Sequence, residues 1–155
     1  MAVQVVPIAA ADKPELWQRM QAYMAELMPF GNFGPVDGEF QYDVELYWRE
    51  PDRFPFWAMV DGERAAFALI HRAERTEMAE FYTFPEFRRS GVGLDFARQL
   101  LTRFPGPWEI SQYRAHQAAV SFWHRVVADY DYEERVYVGG QGKERLEQTF
   151  RVPRS

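Results

Sequence analysis

The residues best suited to chemistry lie between Glu80 and Gly93, where a glutamate precedes a loop rich in arginine and glycine. The loop reads Arg88-Arg-Ser-Gly-Val-Gly93, and the amphipathic pattern of a helix begins within it. Glycine adopts backbone angles that other residues cannot, and it lets a ligand approach the main chain closely. The amides of such a loop and of the first helical turn converge at the positive end of the helix dipole. This arrangement predicts a site for a phosphate or pyrophosphate group.

The spacing of this loop excludes two other phosphate-binding motifs. A nucleotide P-loop continues with Lys and then Ser or Thr after its second glycine, whereas Leu94 and Asp95 follow here. A dinucleotide-binding loop has a third glycine and follows a buried parallel strand, and neither feature is evident. Because glycines also occur in ordinary turns, the loop by itself leaves open a turn that binds no ligand.

Apolar patterns predict the elements that position this loop. Spacings of three and four residues predict helices, at 16–28, 44–48, 92–104 and 117–127. Alternating or β-branched runs predict strands, at 3–9, 56–60, 64–71, 77–84, 108–112, 132–138 and 146–152. Between two of these strands, Asp61-Gly62 is typical of a type I′ turn. The alternation of helices and strands indicates the α/β class, but three consecutive strands pair antiparallel, so we expect a mixed sheet.

Length and composition limit the class of protein. The 155 residues fit one domain, 1–155, and the hydrophobic fraction of 47% is ordinary for a globular protein. The chain has no cysteine, which excludes disulfides and thiolate zinc sites. Its formal net charge of −5 argues against nucleic acid as a partner. With no evident secretory signal and no long apolar stretch, we expect a cytoplasmic protein that does not bind a membrane.

The segment from Glu80 to Gly93 resembles the coenzyme A-binding signature of the GNAT superfamily of N-acetyltransferases, Gln/Arg-x-x-Gly-x-Gly/Ala. It lies where that family places it, between the fourth strand and the third helix. Downstream, Trp108-Glu-Ile and Ala119-x-x-Phe-Trp123 resemble the family's fifth strand and fourth helix. The resemblance covers nearly the whole chain. It implies a single α/β domain (α+β in some schemes) whose mixed, mostly antiparallel sheet of about seven strands is flanked by about four helices. It also implies an enzyme that moves an acetyl group from acetyl-CoA, as co-substrate, to an amine by direct attack.

The resemblance implies roles for two groups of coenzyme-binding residues. The main chain of the fourth strand would pair with the pantetheine arm, through Phe81, Tyr82 and Thr83. The amides of the signature loop would bind the pyrophosphate, from Arg88, Arg89, Ser90, Gly91, Val92 and Gly93. The two arginine side chains either add positive charge there or stay solvated. The acetyl group is expected beside 80–83 and 110–112, where the fourth and fifth strands separate in this family.

Three side chains are candidates for catalysis. Attack on a thioester needs a neutral amine and a proton for the leaving thiolate. Glu80 matches a position where some family members keep a glutamate base; otherwise it is a salt-bridged or solvent-facing strand residue. The family's usual asparagine and tyrosine fall at His116 and Trp123, and an indole cannot protonate a thiolate. The acid is therefore Tyr113, His116 or water.

The two departures from the family pattern leave open a non-catalytic module of the same fold that binds or senses acyl-CoA. The run at 33–48 would cover the acceptor, and its Asp37, Glu39 and Asp43 suit a cationic amine, unless it is only a solvated surface. The histidines lack the spacing of a metal pair, so no metal is expected. The sequence does not specify whether the acceptor is a small-molecule or a peptidyl amine. The closing hairpin offers an edge for a homodimer.

Overall fold

A seven-stranded sheet runs through the computed structural model, which describes residues 2–155. The strands are β1 (Gln4–Pro7), β2 (Arg53–Val60), β3 (Glu63–Arg72), β4 (Thr76–Thr83), β5 (Gly106–Tyr113), β6 (Glu133–Val138) and β7 (Glu144–Val152). Their order across the sheet is β1-β2-β3-β4-β5-β7-β6. Of the six neighbouring pairs, β4 with β5 is parallel and the others are antiparallel. The predicted mixed sheet of seven strands is therefore confirmed.

Four helices cover the two faces of the sheet, with short 3-10 turns at Ala10–Asp12 and Pro85–Phe87. The helices are α1 (Lys13–Leu27), α2 (Leu46–Arg49), α3 (Val92–Arg103) and α4 (Gln117–Val127). Each face has its own apolar core. Phe96 and Leu100 of α3 are fully buried on one face, and Leu16 and Met20 of α1 are fully buried on the other. Burial of these regularly spaced residues is what holds the helices to the sheet.

The hairpin of β2 and β3 turns as the sequence predicts. Asp61 and Gly62 have φ of 50° and 79°, as a type I′ turn requires, and Val60 pairs with Glu63 across it. β2 begins at Arg53, three residues before the predicted start. Pro55 interrupts the apolar pattern there, but its carbonyl still accepts from the Ile8 amide at 3.0 Å, so pairing continues past it.

β4 and β5 separate after a short parallel contact. Their pairing is confined to Thr76 with Trp108 and Glu77 with Glu109. β4 then carries one extra residue, Ala79, that has no partner on β3. A bulge of this kind bends a strand and increases its twist.

By adding one residue, the bulge also changes which face of the sheet the following side chains of β4 reach. The Glu80 carboxylate meets Tyr23 of α1 on one face. The next side chain, Phe81, packs against Phe96 of α3 and Trp123 of α4 on the other. The gap between the strands is therefore reached from both faces.

Candidate active site

A cavity of about 680 Å³ occupies the gap between β4 and β5, a volume that suits a small-molecule site. The end of α1, the loop before α3, the start of α4 and β7 complete its walls. Ten of the predicted site residues line it: Glu80, Phe81, Tyr82, Thr83, Arg88, Arg89, Gly91, Gly93, Tyr113 and His116. Two predicted residues do not line it with their side chains. The Ser90 hydroxyl donates to the Phe87 carbonyl at 2.6 Å, and Val92 is buried in the core. These two can contribute only main-chain groups.

The two glycines of the loop have different structural roles. Gly91 is the N-cap of α3 and has φ of 84°, where a side chain causes strain. At Gly93, a Cβ would lie 2.7 Å from Thr83 Oγ1. The close approach of α3 to β4 therefore requires a residue without a side chain at this position. No side chain caps the N-terminus of α3. The first-turn amides, which have no partner within a helix, lie beside Gly91 and Gly93 at the cavity wall, and an uncapped helix start of this kind suits an anion.

The two arginines of the loop differ in what neutralises them. Arg88 donates to Glu26 Oε1 at 2.7 Å and to the Thr83 carbonyl at 3.1 Å. It therefore ties the loop to the end of α1. Arg89 has φ of 62°, lines the cavity and belongs to none of the ion pairs formed within residues 2–155. Of the two, Arg89 is the one whose charge is available to an anion.

Glu80 lies deep in the gap with its carboxylate among phenols. Tyr23 donates to its Oε1 at 2.7 Å. Burial raises the pKa of Glu80 to about 7, against the opposing effect of hydrogen bonds from Tyr23 and Tyr42 and of the positive charge of Arg145. Burial and the Glu80 carboxylate in turn raise the pKa of Tyr23, which stays a hydrogen-bond donor. Within residues 2–155 Glu80 forms no ion pair, so the salt-bridge alternative does not apply.

Tyr113 and His116 lie on the other side of the gap from Glu80. The Tyr113 hydroxyl donates to Gln141 Oε1 in the turn between β6 and β7. His116 is the N-cap residue of α4, and its ring stacks on Phe30 with 4.2 Å between centroids. Burial lowers the pKa of His116, which favours its neutral form. Trp123 is 7% exposed and belongs to the core, as expected.

The segment that follows α1 meets the β6–β7 turn above this side of the cavity. Asn32 Nδ2 donates to the Gln141 carbonyl at 3.2 Å. A Cβ on Gly31 would lie 2.8 Å from the Tyr113 hydroxyl oxygen. These contacts fix the Tyr113 side chain between two loops that are far apart in sequence.

The acidic residues expected to attract the acceptor do not line the cavity. Glu39 accepts from Trp17 Nε1 at 2.9 Å, Asp43 pairs with Arg49 at 2.9 Å, and Asp37 occupies a turn with φ of 52°. The structure therefore favours the alternative of a solvated surface for these three carboxylates. All three are exposed, and Glu39 and Asp43 have partners on the surface.

Sequence reasoning missed two side chains of the site, Tyr23 and Arg145. Tyr23 lies on the face of α1 that carries Met20 and Leu27. A phenol hydroxyl on this apolar face was the feature of the sequence that could have indicated a buried polar partner. Arg145 had no signal, because it is an arginine in a charged strand. Within residues 2–155, no group of three or more His, Asp or Glu side chains is arranged to hold a metal ion. None of the helices in the same residues is long and apolar enough to cross a membrane.

Comparison with known proteins agrees with this geometry. The model of the acetyltransferase (GNAT) family matches residues 17–128. No curated protein sequence matches the chain significantly.

Solved acetyltransferase structures share the fold at low sequence identity. An acetyltransferase from Thermus thermophilus is 14% identical with a TM-score of 0.73, covering 98% of both chains. The aminoglycoside acetyltransferase AAC(6')-Ib in complex with coenzyme A and kanamycin is 13% identical with a TM-score of 0.69, covering 96% of this chain and 94% of that one. The ribosomal-protein-S18-alanine N-acetyltransferase from Escherichia coli is 12% identical with a TM-score of 0.63, covering 99% of this chain and 96% of that one.

Proposed function

The chain belongs to the acetyltransferase (GNAT) family and is an acyltransferase, and from this premise we propose the residues and the chemistry of its reaction. Acetyl-CoA binds in the cavity between β4 and β5, and an amine acceptor attacks its thioester directly. One observation carries the proposal. A glutamate whose pKa lies at about 7 lines the same cavity as the uncapped first turn of α3.

The coenzyme would be held by main-chain groups. The amides from Arg88 to Gly93 suit its pyrophosphate, and the Arg89 side chain adds a positive charge that no carboxylate of residues 2–155 neutralises. Past Glu77, the edge of β4 that faces β5 has no strand partner. The main chain of Phe81, Tyr82 and Thr83 is therefore available to an extended amide-bearing arm, in the way that a strand edge accepts another strand.

The chemistry needs two proton transfers. A nitrogen–carbon bond forms and the carbon–sulfur bond breaks, so the amine loses a proton and the thiolate gains one. We assign the first proton to Glu80, which is partly ionised at neutral pH. For the second we favour Tyr113 over His116, because burial lowers the pKa of His116 and favours its neutral ring, while Tyr113 also lines the cavity and carries a phenolic proton.

The finer properties of the enzyme remain proposals. The acceptor is a small-molecule or peptidyl amine, and the reaction takes place in the cytoplasm, where acetyl-CoA is available. A homodimer through β6 stays a prediction; Val136 and Val138 on that edge strand are 43% and 67% exposed. The absence of nucleic acid and membrane partners also stays a prediction.

Thermal melting with rising acetyl-CoA tests the coenzyme site. A ligand at about a hundred times its Kd stabilises by about 2.7 kcal/mol, which raises the Tm by several degrees in a domain of this size. Gly91→Val should abolish the rise, because valine is strained at φ of 84° and would distort the loop whose amides are proposed to bind the pyrophosphate. Gly34→Val is the matched control, since a Cβ there contacts nothing within 4 Å and φ is not positive.

A thiol-release assay with a panel of amines then tests catalysis. A saturable rise in Tm together with amine-dependent thiol release supports the enzyme. A rise without release from any amine favours a module that only binds the coenzyme. No rise at millimolar acetyl-CoA means that the loop is a turn without a ligand, and the proposal fails.

A further inference from the structure

Arg145 is a half-buried cation on the β7 side of the cavity. It pairs with Tyr113 across the β5–β7 ladder, and its guanidinium carbon lies 4.5 Å from the centroid of the Tyr113 ring. Its Nη2 donates to Ser111 Oγ at 3.2 Å. These contacts hold the guanidinium plane in place, yet they use few of its N–H donors. The remaining donors are left for a ligand in the cavity that Arg145 lines.

Three other arginines are neutralised within the chain, whereas Arg145, like Arg89, belongs to no ion pair among residues 2–155. Arg88 pairs with Glu26 at 2.7 Å, Arg135 with Glu147 at 2.8 Å and Arg114 with Glu144 at 3.1 Å. No carboxylate of residues 2–155 lies within 4.0 Å of the Arg145 guanidinium. A partly desolvated charge without a counter-ion is unfavourable, and an anionic ligand would relieve that cost.

The same side of the site carries a second cation. A recess of about 280 Å³ beside the main cavity is lined by Tyr113, Lys143, Arg145 and the turn at 139–141. Lys143 is exposed and forms no ion pair within residues 2–155. The β7 side of the site thus carries Arg145 in the cavity and Lys143 in the adjoining recess, across the gap from the Glu80 carboxylate.

We propose that the acceptor is an amine that also carries a carboxylate, and that Arg145 binds this carboxylate while the amine lies at Glu80. This inference rests on the proposed function and names its acceptor class. A guanidinium fork matches a carboxylate through two parallel hydrogen bonds, which gives orientation as well as attraction. An acceptor with cationic groups at both ends would instead place a positive charge against Arg145. Since the acidic residues at 37–43 do not line the cavity, nothing in that run offsets this repulsion.

Matched pairs of acceptors test the proposal in the thiol-release assay. Each α-amino acid is compared with its carboxamide, and each ω-amino acid with the alkylamine of the same length. The free energy of a hydrogen bond to a charged group corresponds to about a 10- to 100-fold change in an equilibrium constant. The carboxylate acceptors should therefore have a kcat/KM higher by that factor than their uncharged partners. Arg145→Gln keeps a donor near Ser111 but removes the charge. The ratio of kcat/KM for each carboxylate to that for its uncharged partner should fall close to unity, because the KM of the carboxylate rises. The thermal shift caused by acetyl-CoA should stay unchanged.

Arg114→Gln is the control, because it removes an exposed arginine that already pairs with Glu144. It should keep the preference for carboxylates. Aminoalkylphosphonates added to the panel distinguish a carboxylate from a phosphate-like anion; equal or better turnover of the phosphonates would overturn the assignment to a carboxylate. If wild type turns over carboxamides and alkylamines as well as their acids, the inference fails while the proposed function stands. If no amine causes thiol release, the proposed function fails and the inference with it.

Discussion

Replacing Glu80 by glutamine removes the proposed base but keeps the shape of the side chain and an acceptor for the Tyr23 hydroxyl. Burial raises the pKa of Glu80 from 4.5 to about 7, so the wild-type enzyme gains its ionised base as the pH rises through 7. Below that value kcat/KM should rise about tenfold per pH unit, and above it the profile should level off. Glu80→Gln should lower kcat by about 10²- to 10⁴-fold and lose this limb of the profile, with little change in acetyl-CoA binding.

The same shift in pKa has a consequence for stability. Because the folded-state pKa exceeds the unfolded one, the folded protein binds the extra proton between pH 4.5 and about 7. The associated stability is full below pH 4.5 and is lost as the pH rises through 7. The interval from 4.5 to about 7 corresponds to about 3 kcal/mol, and partial solvent contact reduces the loss to about 2 kcal/mol.

Urea denaturation at pH 5 and pH 8 measures that loss. Between pH 5 and pH 8, the free energy of unfolding should fall by about 2 kcal/mol more in wild type than in Glu80→Gln. Glu74→Gln is the control, since Glu74 is exposed on the turn between β3 and β4. It should follow wild type. A flat rate profile from pH 6 to pH 8, with equal pH dependence of stability in wild type and Glu80→Gln, would refute a glutamate that titrates near neutrality. If Glu80→Gln changes the pH dependence of stability but leaves kcat unchanged, Glu80 is a buried carboxyl group that does not act as a base.

Four further substitutions test the proton donor and the coenzyme loop. Tyr113→Phe should lower kcat about tenfold or more at constant acceptor KM, whereas His116→Gln should have little effect; the reverse result in steady-state kinetics would assign the acid to His116. Gly93→Ala should cost about 1–3 kcal/mol in urea denaturation, because its Cβ would lie 2.7 Å from Thr83 Oγ1, and Thr83→Ala in the same chain should recover part of that cost. A stable Gly93→Ala that binds acetyl-CoA with wild-type affinity would contradict the close approach of α3 to β4.

Local features of the sequence were enough to predict most of the elements. The predicted helix at 117–127 matches α4, and the strand–loop–helix order around Gly91 is as expected. These features depend on the period of apolar residues and on backbone angles that only certain residues adopt, which are properties of neighbours along the chain. The predicted cavity residues follow from the same order, because the loop and β4 are contiguous.

The charges around the acceptor could not be placed in this way. Asp37, Glu39 and Asp43 could face either solvent or ligand, and Glu39 and Asp43 found partners on the surface. Arg145 gave no sign of its position, because its neighbours Tyr113 and Ser111 lie 32 and 34 residues away in the sequence.

The sequence by itself determined the glycine-containing loop before α3, the order of the elements and the family, since each depends on short-range patterns. Only the tertiary structure decided which charges meet in the cavity. The bulge at Ala79 turns Glu80 toward Tyr23, 57 residues away, and removes it from water. The pKa of Glu80 depends on that removal and on the field of Arg145. Burial and distance between charges are properties of the packed sheet and helices, and a linear pattern of residues does not contain them.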